Sequence, residues 1–155
     1  MRPLNKPRKL SLSGVSKRSV RTQFAALCWR VKKGEVQICL VTSRTSKRWI
    51  LPKGWPMHGR TPAGAAAIEA YEEAGLRGRS YDICLGVFDT RKHHDKRQPY
   101  LALVYPIKVK TVLNNWPEKD ERRRKWFTPE KAAERVDEPG LAEILRRFDP
   151  ASLAP

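Results

Sequence analysis

One short predicted helix constrains this chain more than any other feature, because three glutamates crowd one of its faces. The segment 61–74 is rich in alanine, which has the highest helix propensity. Within it, Glu69, Glu72 and Glu73 are spaced i, i+3 and i+4, so their carboxylates share one face. Like charges at this spacing repel one another and destabilise a helix. Their clustering is unexpected in a chain whose formal net charge is +16. A hard divalent cation would offset the repulsion, although a Glu-rich helix considered alone is more often a solvated helix with salt bridges to Lys or Arg.

The sequence also predicts where this helix begins and ends, and it predicts a loop before the helix. Thr61 is a favoured N-cap, Pro62 suits the first helical position, and Gly75 suits the C-cap. The preceding loop, 53–60, contains glycine and proline and would bring backbone carbonyls close to the helix. Its Gly54 indicates either a close approach of another group or an unusual backbone φ angle. Strand, loop and helix together predict a cradle of oxygen atoms of the kind that Mg²⁺ prefers.

The remaining segments predict a mixed sheet covered by helices, which is the α/β (or α+β) class. A basic tail at residues 1–17, rich in Pro, Ser, Lys and Arg, is expected to be disordered, and residues 18–155 are expected to form a single domain. The predicted strands are 19–31, 36–42, 48–51, 81–88, 100–109 and 124–127, with further helices from residue 128 and over 141–148.

The composition indicates the cellular compartment and the class of partner that this chain binds. Cys28, Cys39 and Cys84 lie in apolar, strand-like runs and are expected to be buried free thiols, which is typical of the cytoplasm. No apolar run is long enough to span a bilayer, and residues 1–17 lack the apolar region of a secretory signal. The excess of positive charge predicts polyanionic partners, which are nucleic acid, polyphosphates or anionic lipid.

The region from Gly54 to Leu76 resembles the signature of the Nudix hydrolases, G-x5-E-x7-R-E-U-x-E-E-x-G-U, in which U is aliphatic. Two positions depart from it, since Arg60 replaces the first Glu and Ile68 replaces the Arg. In the family these two side chains support the loop by pairing with one another, so the chain has lost a pair and no single partner is stranded. The positions that match in register are Gly54, Glu69, Ala70, Glu72, Glu73, Gly75 and Leu76.

Other segments resemble the diphosphoinositol polyphosphate phosphohydrolase branch of that family, which also cleaves diadenosine polyphosphates. The resemblance covers about residues 20–148 and implies an α/β/α sandwich around a mixed sheet. It also implies cleavage of a pyrophosphate bond in a nucleoside or inositol diphosphate compound, with Mg²⁺ or Mn²⁺ as cofactor. The similar segments are 26–30, 40–44, 48–52 and 124–127.

The resemblance implies roles for particular acidic residues. Glu69, Glu72 and Glu73 would share metal binding and catalysis, with Glu69 or Glu73 also a candidate base toward water. The backbone carbonyl of Lys53 and the carboxylate of Glu121 are further candidate metal ligands.

The substrate side of the site is expected to be basic. Gly54 and four arginines are candidate substrate-binding residues, because arginine binds phosphate with a bidentate geometry. Trp55 follows the signature glycine and would pack at the pocket mouth or stack on a base. The four arginines are Arg21, Arg44, Arg97 and Arg123.

Two other functions fit the same sequence. The basic charge favours an RNA-end-processing or RNA-binding Nudix protein, although no aromatic RNA-binding motif is present. The replacements at Arg60 and Ile68 are compatible with a non-catalytic sensor of a diphosphate ligand. The sequence leaves the substrate, the metal and the oligomeric state open.

Overall fold

The chain forms a mixed sheet with helices on both of its faces in the computed structural model, which describes residues 21–90 and 100–153. The helices of this part of the chain are α1 (Pro62–Ala74), α2 (Pro129–Arg135) and α3 (Pro139–Arg147), followed by a 3₁₀ turn at Pro150–Ser152. Its strands are β1 (Arg21–Lys32), β2 (Glu35–Thr42), β3 (Trp49–Ile50), β4 (Lys53–Gly54), β5 (Leu76–Ser80), β6 (Gly86–Asp89), β7 (Tyr100–Val112) and β8 (Arg124–Phe127).

Strand β1 lies at the centre of the sheet and divides the core into two layers. Its side chains alternate, so that Phe24 and Cys28 pack under α1 while Ala25 and Leu27 pack under α2 and α3. Both layers are continuous and buried, which requires helices on both faces. The prediction of an α/β/α sandwich is confirmed.

The pairing of the strands places the signature loop beside α1. The main strand order is β3-β2-β1-β7-β5, and β1 and β7 run parallel. Strand β4 pairs antiparallel with β1, with Phe24 opposite Gly54 and Ala25 opposite Lys53. The short β4 strand therefore fixes the loop backbone next to the central strand, where the predicted site residues converge.

Helix α1 begins and ends where its capping residues predict. The hydroxyl of Thr61 accepts a hydrogen bond from the amide of Gly64 at 3.0 Å. Gly75 has a left-handed backbone with φ 65°, and its amide donates to the carbonyl of Tyr71 at 3.0 Å. The predicted boundaries of this helix are confirmed.

The prediction of a strand over 81–88 is wrong. Strand β5 starts directly after Gly75, and β6 covers only the end of the predicted range. The sequence of β5 is Leu-Arg-Gly-Arg-Ser, which lacks an apolar strand pattern because four of its five residues are exposed at the sheet edge. Its pairing with β7 shifts register between Arg77 and Gly78, where a Cβ on Gly78 would collide with the carbonyl of Lys108.

The prediction for the cysteines holds in two cases of three. Cys28 and Cys39 are buried free thiols, as expected. Cys84 is exposed, because it lies in the irregular segment between β5 and β6 and not in a strand. The predicted tail at 1–17, and most of the basic loop before β7, lie outside the described residues. No helix in the described ranges has the length and apolar character needed to cross a membrane.

Candidate active site

The last two turns of α1 lie against β4, and this contact assembles the site. Glu73 is 3% exposed, and its Oε2 accepts a hydrogen bond from the amide of Lys53 at 3.0 Å. The carboxyl group of Glu69 lies directly over Gly54. A Cβ at residue 54 would come within 2.9 Å of Cγ of Glu69 and nearer still to its carboxyl group. Since Gly54 does not have a left-handed backbone, it is the close approach of Glu69 that requires glycine here.

Glu69 and Glu73 are hydrogen-bonded to each other and behave as one acidic pair. Burial raises the pKa of Glu73 to about 8; Arg122 opposes this shift, and the hydrogen bond and charge of Glu69 add to it. Burial also raises the pKa of Glu69. The pair therefore holds a proton near neutral pH, because two adjacent carboxylates cannot both ionise easily in a dry site. A cation bound between them would displace that proton.

Arg122 is the main cationic partner of this pair, and sequence reasoning missed it. Its side chain is 8% exposed, and its Nη2 lies 3.1 Å from Oε1 of Glu73. Its Nε lies 3.0 Å from Oε1 of Glu118, and its Nη1 donates to the carbonyl of Thr42 at 3.1 Å. One guanidinium thus ties α1 to the end of β2 and to the loop before β8, and it fixes the orientation of Glu73.

A second layer of contacts holds the C-terminal end of α1. The indole of Trp116 donates to the carbonyl of Glu73 at 3.2 Å and lies so close to Gly75 that a Cβ there would be 2.6 Å from its ring. Arg124 stacks 4.0 Å from the centre of the Trp116 ring and donates to the carbonyl of Ala74 at 2.8 Å. These contacts satisfy carbonyls that a helix end leaves unpaired, and so they fix the turn that carries Glu73.

Two of the predicted phosphate-binding arginines lie at the edge of the site. The guanidinium of Arg21 is 5.5 Å from the ring centre of Trp55, which is 43% exposed and follows Gly54. Arg44 lies 3.9 Å from Glu118 and 3.9 Å from Glu121, and its side chain is 62% exposed. Both arginines are open to solvent; Arg21 lies beside the residue that follows Gly54, and Arg44 lies beside Glu118, which contacts Arg122.

The third predicted arginine, Arg123, is turned toward the layer of the core opposite α1. Arg123 lies over Trp49, at 5.6 Å from the ring centre, and Trp49 packs against Phe127 in the layer under α2 and α3. Arg97 falls outside the described residues. Glu121 contacts only the edge of the site through Arg44, whereas Glu118 reaches Arg122.

The period of β8 could have identified Arg122. Side chains alternate along an extended segment, and Trp126 packs in the layer under α1. Counting back from it in steps of two gives Arg124 and then Arg122, both of which contact the end of α1. Arg123 belongs to the opposite set, and for that reason it turns toward Trp49.

Comparison with known proteins agrees with this geometry. Residues 21–148 match the model of the NUDIX domain. The chain belongs to the NUDIX family. The matched range includes the loop, α1, β8 and every site residue described above.

Individual relatives are enzymes of the same family. The chain is 36% identical to Nudix hydrolase 16, mitochondrial, of Arabidopsis thaliana over 115 residues, which cover 71% of this chain and 63% of that one. It is 33% identical to diphosphoinositol polyphosphate phosphohydrolase 2 of Rattus norvegicus over 150 residues, covering 93% of this chain and 76% of the relative. The fold resembles that of the C. elegans Ap4A hydrolase with a TM-score of 0.68 at 20% identity, covering 84% of this chain and 96% of that structure. The prediction of a Nudix pyrophosphohydrolase is confirmed.

The donors of this NUDIX site suit a hard divalent cation. Glu69 and Glu73 interact with each other, the amide of Lys53 donates to Glu73, and Gly54 lies against Glu69, so two carboxylates meet beside the backbone of residues 53–54. Glu72 is on the same face of α1, and its backbone carbonyl accepts the amide of Glu118 at 3.0 Å. Within residues 21–90 and 100–153, no three acidic, histidine or cysteine side chains are grouped closely enough to hold an ion.

Proposed function

We propose that this NUDIX protein is a divalent-metal-dependent hydrolase of a pyrophosphate bond in a nucleoside or inositol diphosphate-linked compound. The substrate would be of the diphosphoinositol polyphosphate or diadenosine polyphosphate type. The observation that carries the proposal is the Glu69–Glu73 pair, seated on Gly54 within the family signature. The names of the relatives support the substrate class, and the exposed arginines at the site edge support a polyphosphate.

The metal-binding role would fall to the acidic residues of α1 and to the backbone of the loop before it. The carboxylates of Glu69 and Glu73 and the carbonyl of Lys53 would hold Mg²⁺ or Mn²⁺, with Glu72 available on the same helix face. When bound, such a cation supplies Lewis acidity and lowers the pKa of a bound water. Glu73 is buried and paired with Arg122, which suits a fixed ligand.

The remaining roles follow from exposure. Glu69 is only half-buried, so it is the better placed of the two to accept a proton from an attacking water. Arg21 and Arg44, both exposed to solvent, would bind the phosphates that flank the scissile bond. Phosphate contacts of this kind orient the substrate, and orientation is a large part of phosphoryl-transfer catalysis.

An activity panel tests this proposal. Purified protein is incubated with diadenosine polyphosphates, diphosphoinositol polyphosphates and nucleotide sugars, with Mg²⁺, with Mn²⁺ or with EDTA. We expect turnover of at least one class that requires the metal and falls about 10²-fold or more in Glu73→Gln, as for a lost transition-state interaction. The matched control is Glu130→Gln, an exposed residue of α2 with the same change of charge.

The panel also separates the other candidate functions. A diphosphate-ligand sensor, suggested by Arg60 and Ile68, would bind panel compounds without any turnover in the wild-type protein. An RNA-binding protein would bind RNA with strong salt dependence and would keep that binding in Glu73→Gln. Either result would contradict the proposed hydrolase. The cytoplasmic location stays a prediction.

A further inference from the structure

A cavity lies between α1 and the edge strand β5, and the proposed hydrolase site does not use it. Its volume is about 470 Å³, and we call it the α1–β5 cavity. It is lined by Arg60, Gly64, Ala67, Ile68 and Tyr71 from the loop and α1, and by Leu76, Arg77, Gly78 and Ile107 from the sheet.

The α1–β5 cavity is turned away from Glu69 and Glu73, although Glu72 lies one turn after Ile68 and therefore borders it. Successive residues of an α-helix are rotated by about 100°. Ile68 and Tyr71 are therefore turned by about 100° or more from Glu69 and Glu73. A ligand in this cavity would therefore touch α1 without contacting Glu69 or Glu73.

The walls of the cavity combine an apolar floor with a basic rim. Leu76 and Ile107 are almost fully buried and form the floor with the half-buried Ile68. Arg60 and Arg77 are exposed at the rim, and the guanidinium of Arg77 is held 4.5 Å from the ring centre of Tyr71. Among the carboxylates of the described residues, none lies within 4.0 Å of either guanidinium. The rim thus offers donors for an anion, and the floor favours an apolar group.

The two departures from the Nudix signature fall in this cavity. At these positions the family has a glutamate and an arginine, whereas this chain has Arg60 and Ile68. The change puts a cation in place of an acidic side chain at the rim, and an apolar side chain in place of a cation at the floor. Since the whole chain carries a formal net charge of +16, a second copy would be repelled from this basic surface.

We infer that the α1–β5 cavity binds a small organic anion with an apolar body, a carboxylate, sulfonate or phosphate ester of an aromatic or aliphatic group. Its charged group meets the guanidinium groups of Arg60 and Arg77 at the rim. Its apolar body covers Ile68, Leu76 and Ile107. The site is additional to the hydrolase site and does not depend on it.

A pair of probes that differ in charge tests this inference on the full chain. The anion is 1-anilinonaphthalene-8-sulfonate, and the control is N-phenyl-1-naphthylamine, which has the same apolar body without the sulfonate. Titrations are followed by fluorescence and by assigned amide chemical shifts. We expect the anion to perturb the amides of Ile68, Tyr71 and Gly78 and to bind about tenfold more tightly than the control, which corresponds to about 1.4 kcal/mol.

Variants locate the bound anion. Arg77→Gln should weaken its binding about tenfold, whereas Lys110→Gln, the same loss of charge at an exposed position of β7, should leave it unchanged. The double variant Arg60→Glu with Ile68→Arg installs the family's pair and should abolish binding. Thermal unfolding confirms that each variant is folded.

Three results would overturn the inference. The first is equal affinity for the charged and uncharged probes. The second is an equal effect of Arg77→Gln and Lys110→Gln, which would show general attraction to a basic surface. The third is a set of amide chemical-shift changes confined to the hydrolase site or to another cavity, which lies between β6 and α3 and is lined by Gly86, Ile144 and Phe148.

Discussion

Replacing Gly54 with alanine should inactivate the site while leaving the fold intact. The new Cβ would lie 2.9 Å from Cγ of Glu69, whereas ordinary contact begins at 3.4 Å. The Glu69 side chain must therefore retreat by about 0.5 Å at Cγ and by more at its carboxyl group, which is closer to the new atom. A displacement of about 1 Å in a catalytic group can lower the rate about 10²-fold, so we expect kcat to fall by that factor.

The cost to stability should be small, for two structural reasons. The backbone of Gly54 is not left-handed, so alanine meets no conformational strain. The atoms that must move are the far end of a half-buried, flexible side chain and not backbone. We expect the free energy of unfolding to change by less than about 1 kcal/mol, as for substitutions without a core defect.

Steady-state kinetics on a cleaved panel compound and urea unfolding provide the assay. The matched control is Gly64→Ala, in α1, the helix that carries Glu69. The new Cβ at residue 64 would meet only the Thr61 hydroxyl, at 3.0 Å. This variant should keep kcat within about twofold. Retention of full kcat in Gly54→Ala would refute the inferred contact with Glu69. Loss of activity explained entirely by unfolding would refute it as well.

Three further predictions concern the surroundings of the carboxylate pair. Arg122→Met should lower the free energy of unfolding by about 3 kcal/mol, which is the low end for a broken buried ion pair because Glu73 can take up a proton. In the same urea titration, the exposed Arg123→Met should lower it by less than about 1 kcal/mol. The second prediction concerns pH in the presence of EDTA. Between pH 4.5, the ordinary pKa of Glu73, and its raised value of about 8, the native protein binds more protons than the unfolded chain. The free energy of unfolding should therefore fall as pH rises through this window. Urea titrations at several pH values would show this slope, and Glu73→Gln should reduce it. If the substrate is a nucleotide, Trp55→Ala should raise its KM about tenfold or more through lost base stacking. The KM for a diphosphoinositol compound should rise by less, through the lost support of Arg21, and equal increases for both would contradict stacking.

The sequence alone was sufficient for the layers of the fold and for the acidic half of the site. Capping residues set the ends of α1, and the spacing of its glutamates set their common face, because both depend on neighbours within one helix. Strand β5 could not be found in this way. It is an exposed edge strand of mostly polar residues, and its pairing with β7 is decided by the position of the chain after Gly75.

The basic half of the site depends on tertiary contacts that residue type does not specify. Arg122 and Arg123 are adjacent and chemically identical, yet one is buried against Glu73 and the other lies over Trp49. The register of β8 beside β2, which puts Trp126 in the layer under α1, decides between them. In the same way, the pairing of Glu69 with Glu73 depends on how closely β4 approaches α1.

The most direct test of the central claim is a titration of the protein with Mn²⁺, following the free ion by electron paramagnetic resonance. If Glu69 and Glu73 form the core of a metal centre, the wild-type protein binds Mn²⁺ and Glu130→Gln binds it equally well. Glu73→Gln should weaken this binding at least about tenfold, which corresponds to about 1.4 kcal/mol. Equal Mn²⁺ affinity in Glu73→Gln and wild type, or no binding by the wild-type protein, would contradict the claim.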